Sequence, residues 1–502
     1  MSHRRRPDLP PSRTTDRTPN PKLGRGEEGD RKGKISSSWS SRGIASAFFS
    51  SERRVWGLSL AFRATNSLLV QTYFNPDEHW QSLEVAHRIV FGYGHLTWEW
   101  KRGIRSYLHP LVFALLYKIM AFLRLDTPWF MVKAPRLLQS LFSSFGDLYM
   151  YKLSKLLFDE HVARWAFFCQ LVNWFMFFCI TRTLSNSLET VLTIMGLYYW
   201  LSASCSLEDV STASRKLALF IAALACAIRP TSAITWFYVG MLDLVGLQSR
   251  LGFLFLEGFS AMLLTFLPFS IYGIFKSKKW RLSGLIAWVL GVYSMLGHKE
   301  FRFVLPVLPI ALMFAGYSLA VMSKPDFPDP KRRNKYCNRW PLRVHLAVLF
   351  LIMSNVPMAL YMSIVHQRGS EDVMFYLSKE AHDGKVKSIL FLMPCHSTPY
   401  YSTLHHNLPM RFLDCTPSDG KEIPDESDRF LMDPAGFATD MFGNSSSPSH
   451  IVLFSSEEGS LREFLISHSF REVRRFFHAH FKVDRDLQAS VTVYALADLA
   501  VT

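Results

Sequence analysis

From residue 55 onward the chain is built of long apolar runs separated by short polar stretches. The runs are roughly 17 to 25 residues long, the length a helix needs to cross a bilayer core of about 30 Å. Leu251–Ile274, Phe303–Met322 and Val344–Met362 are clear instances. About eleven such runs are predicted as spans. They lie near 55–73, 107–124, 131–151, 163–181, 186–204, 216–229, 231–246, 251–275, 281–297, 303–322 and 342–362. Arg229-Pro230 interrupts one stretch, so 216–229 and 231–246 read either as two spans or as one bent helix. The pattern predicts a polytopic α-helical membrane protein, with a membrane domain over 55–365.

The rhythm changes at both ends. After residue 365 the apolar runs shorten and alternate (Ser388–Met393, Ile451–Phe454, Val491–Leu496) between Pro, Gly and Ser clusters. That predicts a small mixed α/β domain over 366–502. Residues 1–54 are rich in Arg, Ser, Pro and Gly and carry no apolar period, which predicts disorder. With no apolar h-region near the start, the first span is expected to act as an uncleaved signal anchor.

Composition adds a question of charge. The chain is 49% hydrophobic with a formal net charge of +15. Residues 1–54 hold a net +7, residues 324–343 a net +5 and Lys276–Arg281 a net +4, so these patches carry the whole excess. Basic residues packed into short loops beside apolar spans mark cytoplasmic faces, so the charge reports topology rather than a nucleic-acid partner. With the amino terminus in the cytoplasm, alternation puts the two internal basic loops there too, although Lys152, Lys155, Arg215 and Lys216 fall on the other side. Three pieces then share the non-cytoplasmic face: the first loop (about 74–106), the turn around Gly297–Arg302, and the tail. Asn444-Ser445-Ser446 in that tail is a glycosylation sequon, usable only on the lumenal side. Cys395 and Cys415 lie in the same tail, either paired in an oxidising compartment or free. The seven cysteines show no zinc-site spacing.

Candidate chemistry concentrates in the first loop. Asn75-Pro76-Asp77-Glu78-His79-Trp80-Gln81 sets two adjacent carboxylates where the first span ends. Neighbouring side chains point to different sides, so one faces a substrate while the other orients a His or a backbone amide. A carboxylate suits the general base that takes a proton from a sugar hydroxyl. Gln81–His87 reads as an amphipathic interfacial helix carrying Glu84, and Trp98-Glu99-Trp100 sets aromatic faces beside a carboxylate, as a sugar site needs. Arg105 closes the loop. His298-Lys299-Glu300-Phe301-Arg302 forms a second cluster, with Lys299 and Arg302 on one face of a helical turn. Such cations would hold a lipid phosphate and stabilise charge developing on it. Within the spans Arg63, Asp147, Glu189 and Arg229 require partners or a polar cavity.

Asn75–Glu84, Tyr93–Trp100 and His298–Phe303 together resemble the signature of glycosyltransferase family 22, lipid-linked mannosyltransferases of the endoplasmic reticulum with a GT-C fold. Phe391–Ser402 and Leu408–Leu413 are similar to the branch that acts on the GPI-anchor precursor. The resemblance covers about residues 55–500. It implies transfer of the third mannose, α-1,2-linked, from dolichyl phosphate mannose to the GPI glycolipid precursor. A β-linked donor and an α-linked product imply inversion by a single displacement, with Asp77 as the base and Glu78 as the alternative. His79, Trp80, Gln81, Glu84, Trp98, Glu99, Arg105, His298, Lys299 and Arg302 are the expected substrate-binding residues. No nucleotide sugar takes part, so no cofactor or metal is expected, and no stable protein partner is inferred. The alternatives are a sister mannosyltransferase of dolichol-linked oligosaccharide assembly and, from other classes, a lipid transporter or a non-catalytic scaffold. A transporter would be expected to show an internal repeat, which the chain lacks.

Overall fold

The computed structural model describes residue 49 and residues 51–205, 208–245, 265–295, 300–324, 340–417, 424–443, 447–481 and 488–497. Most of the basic amino terminus, most of the predicted span at 251–275, His298, Lys299 and Asn444 lie outside these residues.

The first helix, Glu52–Leu69, packs along the 30-residue helix Pro128–Leu157 through a polar stripe rather than an apolar one. Arg63 reaches Asp147 with Nε to Oδ2 at 2.7 Å and Nη2 to Oδ1 at 3.0 Å, and Ser59 and Gln170 also donate to that carboxylate. Both ion-pair partners are buried. The pair meets the need of two ionisable groups inside apolar helices, where removing one would strand the other.

The helix Leu308–Met322 forms the centre of the helical domain and is buried on nearly all sides. Its neighbours approach closely because Gly316 faces the Ala166 backbone and Gly273 faces the carbonyl of Phe314, with no room for a Cβ at either position. Small residues at helix contacts are the membrane-protein solution to packing without a hydrophobic driving force. The predicted run 163–181 is instead two helices, Glu160–Val172 and Trp174–Cys179. The break occurs because the Asn173 side chain accepts the Met176 N–H at 3.0 Å and so starts a new helix.

Among the described residues one helical stretch, Leu342–His382, is long and apolar enough by itself to cross a bilayer. The Leu108–Phe122 and Leu308–Met322 helices are apolar but shorter. Leu111, Leu115, Ile119 and Phe122 on one helix, and Leu342, Leu346, Leu349, Phe350 and Met353 on another, are exposed. Apolar side chains turned outward over polar contacts turned inward are what a lipid solvent selects.

The C-terminal residues form a five-stranded mixed sheet behind the helix Gly369–His382. Its strands are β1 (Ile389–Leu392), β2 (Met410–Phe412), β3 (His450–Phe454), β4 (Phe470–Phe477) and β5 (Ser490–Leu496), in the order β2-β1-β3-β5-β4. β1 runs parallel to β2 and β3, while β5 is antiparallel to β3 and β4. β1 and β3 are buried throughout, and apolar apart from His450, because helices cover both faces of the sheet's centre. The edge strand β4 carries Arg471, Glu472, Arg474 and Arg475, charges that discourage further strand pairing.

The first loop joins the two parts. Trp80 is 2% exposed and packs within the C-terminal domain's own core, among Met393, Tyr400 and Phe412. Its Nε1 donates to the Thr398 carbonyl at 2.9 Å. The helical domain and the sheet domain are thereby held together by a segment of the loop that carries the candidate chemistry.

Candidate active site

Local sequence fixes the position of Asp77. Asn75 is extended and its side chain accepts the Asp77 N–H at 3.0 Å, with Pro76 at the first helical position. An Asn cap followed by Pro is a strong helix start, so the chain turns sharply there. The short helix Pro76–Glu78 runs into a π-helical turn over His79–Leu83 and then into the helix Glu84–Phe91. The wider turn changes the direction of successive side chains, a device common at functional sites.

Asp77 and Glu78 consequently point opposite ways. Asp77 enters a cavity of about 350 Å³. Glu78 is fully buried in the other direction, where Arg182 Nη1 lies 2.7 Å from Oε2 and Arg136 Nη2 lies 3.0 Å from Oε1. Burial alone would raise the Glu78 pKa, but Arg182 and Arg136 hold it below the ordinary range. Arg136 also pairs with Glu371 of the C-terminal domain, whose carboxyl is lowered as well: burial would raise it, but Arg136 and His79 together hold it down. The partners of Glu78 are thus two guanidiniums, in place of the His or backbone amide expected from sequence.

The cavity wall combines charges of both signs with aromatic rings. Arg302 Nη1 lies 2.6 Å from Asp77 Oδ2 and also donates to Asn75 Oδ1 at 2.6 Å. Arg302 Nη2 reaches Glu300 at 2.7 Å. Arg105 Nη2 binds Glu99 at 2.8 Å and lies 3.9 Å from Asp77 Oδ2. Trp80, Gln81, Thr97, Trp98, Phe303, His396 and Cys415 complete much of the lining. Gln81 donates to Glu99, and its Oε1 is buried without a partner.

Of the expected substrate-binding residues, Trp80, Gln81, Trp98, Glu99, Arg105 and Arg302 line this cavity. His79 and Glu84 are fully buried behind it. His79 stacks on Tyr73 at 5.5 Å and lies 3.8 Å from Glu371. Glu84 Oε1 accepts from Tyr400 N, Ser402 N and Ser402 Oγ at 3.1, 2.9 and 2.6 Å. It ties the first loop to the sheet domain, and burial raises its pKa despite those donors. Cys395 and Cys415 form a disulfide.

Several residues, Arg229, Thr97 and His396 among them, came to the cavity without being singled out for it. Arg229, recognised in the sequence only as an ionisable group needing a partner, lines the cavity while pairing with Glu189 at 3.1 Å. Its signal was the Arg229-Pro230 break, since Pro ends the helix at that residue and turns the chain there. Thr97 and His396 lie in motifs noted for other reasons. Burial pushes the His396 imidazole down to about 4, with nearby His95 adding to the effect, so the ring is neutral at physiological pH.

Residues 55–259 and 243–405 match the Alg9-like mannosyltransferase family. The chain is 56% identical to a mannosyltransferase of Arabidopsis thaliana over 508 residues, covering 89% of this chain and 92% of that protein. It is 40% identical to the GPI alpha-1,2-mannosyltransferase 3 of Homo sapiens, covering 84% of this chain and 83% of that one. Among solved structures, ArnT from Cupriavidus metallidurans bound to undecaprenyl phosphate aligns with a TM-score of 0.52 at 12% identity, over 91% of this chain and 99% of that one. At that identity the likeness is one of fold, the GT-C fold of membrane glycosyltransferases.

Proposed function

The chain belongs to the Alg9-like mannosyltransferase family and is a mannosyltransferase of GPI-anchor synthesis, and from that premise we propose its donor, its linkage and its mechanism. It transfers mannose from dolichyl phosphate mannose to the 2-hydroxyl of the second mannose on the GPI precursor. The third mannose so added is α-1,2-linked. The reaction takes place at the endoplasmic reticulum membrane, with the amino terminus cytoplasmic and the cavity and sheet domain on the lumenal side.

The observation that carries this reading is the meeting of the Asp77 carboxylate with the guanidiniums of Arg105, Arg229 and Arg302 around a single cavity, whose two other carboxylates, Glu99 and Glu300, are paired with Arg105 and Arg302. Asp77 removes the proton from the acceptor hydroxyl as its oxygen attacks the anomeric carbon. The bond from that carbon to the phosphate oxygen breaks on the opposite face, and its electron pair leaves with dolichyl phosphate. Inversion follows from this single displacement. Glu78 takes no part in proton transfer, because two arginines enclose it away from the cavity.

The leaving phosphate gains negative charge as the bond breaks, so fixed cations stabilise the transition state more than the ground state. Arg302 is placed for both tasks. Without substrate it neutralises Asp77, and an arriving phosphate competes for the same guanidinium and frees the carboxylate to act as a base. Planar, multidentate donors suit this exchange better than a point charge would. A lipid phosphate as leaving group needs no metal to escort it, so the reaction as proposed uses none.

The reading is tested in cells lacking the third GPI mannosyltransferase. Expression of this chain should restore three-mannose GPI lipids and surface GPI-anchored proteins. Persistence of the two-mannose lipid, together with correction of a defect in dolichol-linked oligosaccharide mannosylation, would instead favour the sister enzyme. No correction of either defect would favour a non-enzymatic role.

A further inference from the structure

A second cavity of about 210 Å³ adjoins the first and shares Thr97, Trp98, His396 and Cys415 with it. The two differ in what else surrounds them. The larger cavity includes Arg229, at the end of the helix Glu208–Ile228, and Arg302-Phe303, just before the helix Leu308–Met322, so it reaches the helical domain. The smaller one is lined only by the first loop (95–101) and the sheet domain (396–416). A polyprenyl chain must leave toward the helices, and the outer cavity offers it no such route.

The chemistry of the outer cavity is that of a polyol site. His95 is held down to about 4, by burial first and by Lys101 second, so it and His396 are neutral donor–acceptors rather than cations. Asp414 is a carboxylate whose pKa is lowered. Burial opposes that shift, and hydrogen bonds from Thr416 N and Oγ1 at 2.9 and 2.7 Å outweigh it. Of the two cations at the rim, Arg411 is already engaged with Glu426 at 3.3 Å. Trp98 and Phe412 bring aromatic rings to the lining, backed by Tyr400, which is 2% exposed and stacks on Trp80. Aromatic platforms beside a carboxylate, hydroxyls and neutral imidazoles match the alternating CH faces and hydroxyl edges of a sugar.

An independent observation lies on the shared wall. Thr97 is 4% exposed, and its Oγ1 has no hydrogen-bond partner. A buried hydroxyl left unsatisfied carries a cost that a ligand hydroxyl would remove. It stands where a glycan would pass from one cavity to the other.

We propose that the outer cavity is the acceptor-glycan subsite, holding the neutral sugar that precedes the acceptor mannose and so selecting a glycan already two mannoses long. The acceptor mannose then sits across the Thr97–Trp98 wall, with its 2-hydroxyl toward Asp77. This rests on the function proposed above. The family match runs to residue 405, and half of the lining residues of the outer cavity, from Met410 to Thr416, lie beyond it. That is where a branch-specific acceptor preference would be built.

The test uses the full-length enzyme in detergent with dolichyl phosphate mannose and the two-mannose glycolipid. Asp414→Asn, Thr416→Ala and His95→Gln should each raise the acceptor KM about tenfold, the factor that corresponds to roughly one hydrogen bond to substrate, while the donor KM stays within about twofold. Soluble α-mannobiose should compete with the acceptor on wild type, with an inhibition constant about tenfold weaker on Asp414→Asn. An unchanged acceptor KM in all three variants, a parallel rise in donor KM, or α-mannobiose inhibition indifferent to Asp414 would each overturn the subsite. A wild-type enzyme inactive on the two-mannose lipid would sink the functional reading and the subsite with it, and it is recognised before any variant is measured.

Discussion

The Arg302 guanidinium lies 2.6 Å from the Asp77 carboxylate, while the same side chain also holds Asn75 and Glu300. A base already paired with a cation is inactive until something takes the cation away. In the proposed mechanism the leaving-group phosphate would be such a competitor, which would couple base activation to donor binding through one side chain.

Asp77→Asn keeps the size and the hydrogen-bonding outline of the side chain but removes its basicity. We expect kcat to fall by about 10² to 10⁴-fold, the usual contribution of a positioned general base. Protein abundance should change little, and donor KM should stay the same or fall, because the donor phosphate no longer competes with a carboxylate for Arg302. Single-turnover mannosyl transfer in detergent measures this, and a variant retaining more than a tenth of wild-type kcat would remove Asp77 as the base.

Arg302→Lys separates charge from geometry. The ammonium preserves the positive charge but cannot hold Asp77, Asn75 and a phosphate in one plane. A loss of about 10² to 10³-fold in kcat is expected, as for removal of one donor to developing negative charge. If the lysine variant keeps wild-type kcat, charge alone suffices and the proposed exchange is wrong.

Glu78→Gln tests a structural role for the neighbouring carboxylate. Arg136 keeps Glu371, but leaving Arg182 without its carboxylate partner should cost about 3–5 kcal/mol, as for a broken buried ion pair. The expected result is a lowered melting temperature and reduced abundance, with kcat per folded molecule near wild type. A well-folded variant with abolished turnover would return Glu78 to the list of bases.

Acid should loosen the joint between the two domains. The Glu78 and Glu371 carboxyls are both lowered by Arg136, so in the folded state they bind protons more weakly than in the unfolded chain. Their stabilisation is therefore complete above the unfolded value of about 4.3 and is lost as pH falls through the lower folded values. Glu84 has the opposite sign. Its folded pKa is raised, so its contribution is complete below about 4.3 and declines as pH rises through the folded value. Glu84→Gln should consequently cost little at neutral pH, whereas Glu84→Ala should destabilise by leaving the Tyr400 and Ser402 donors unpaired. Thermal melts of wild type and of both variants from pH 2 to pH 8 check the signs.

What the sequence made legible was set by local physics. That Asp77 and Glu78 face different sides was readable from their adjacency, while the Asn75-Pro76 cap that places Asp77 became evident only in the structure. The resemblance carried Arg105 and Arg302 to the same cavity. The burial of Glu78, His79 and Glu84 was not readable, because it is imposed by residues far along the chain. Arg136 lies 58 positions from Glu78, and Ser402 lies 318 from Glu84. Adjacent acidic residues look equivalent in sequence, and only the packing of distant helices tells them apart. The single run predicted at 163–181 failed for a local reason, since hydropathy does not register the Asn173 cap.

The Cys395–Cys415 disulfide spans 20 positions and fixes the segment that brings His396 and Cys415 to the wall between the two cavities. Closing a loop of that size typically stabilises by about 3 kcal/mol, and here the constraint falls on residues that shape both sites. Maleimide-polyethylene glycol labelling of the denatured protein should modify Cys395 and Cys415 only after reduction. The double variant Cys395→Ser/Cys415→Ser should lose about tenfold in kcat/KM for acceptor, with a smaller effect on donor KM, because the flexible segment mainly blurs the outer cavity. Dithiothreitol should inhibit wild type to a similar extent and leave the double variant unaffected. A double variant as active as wild type would show that packing around Trp80 and Phe412 suffices to hold the wall, and the bond would then matter only to stability.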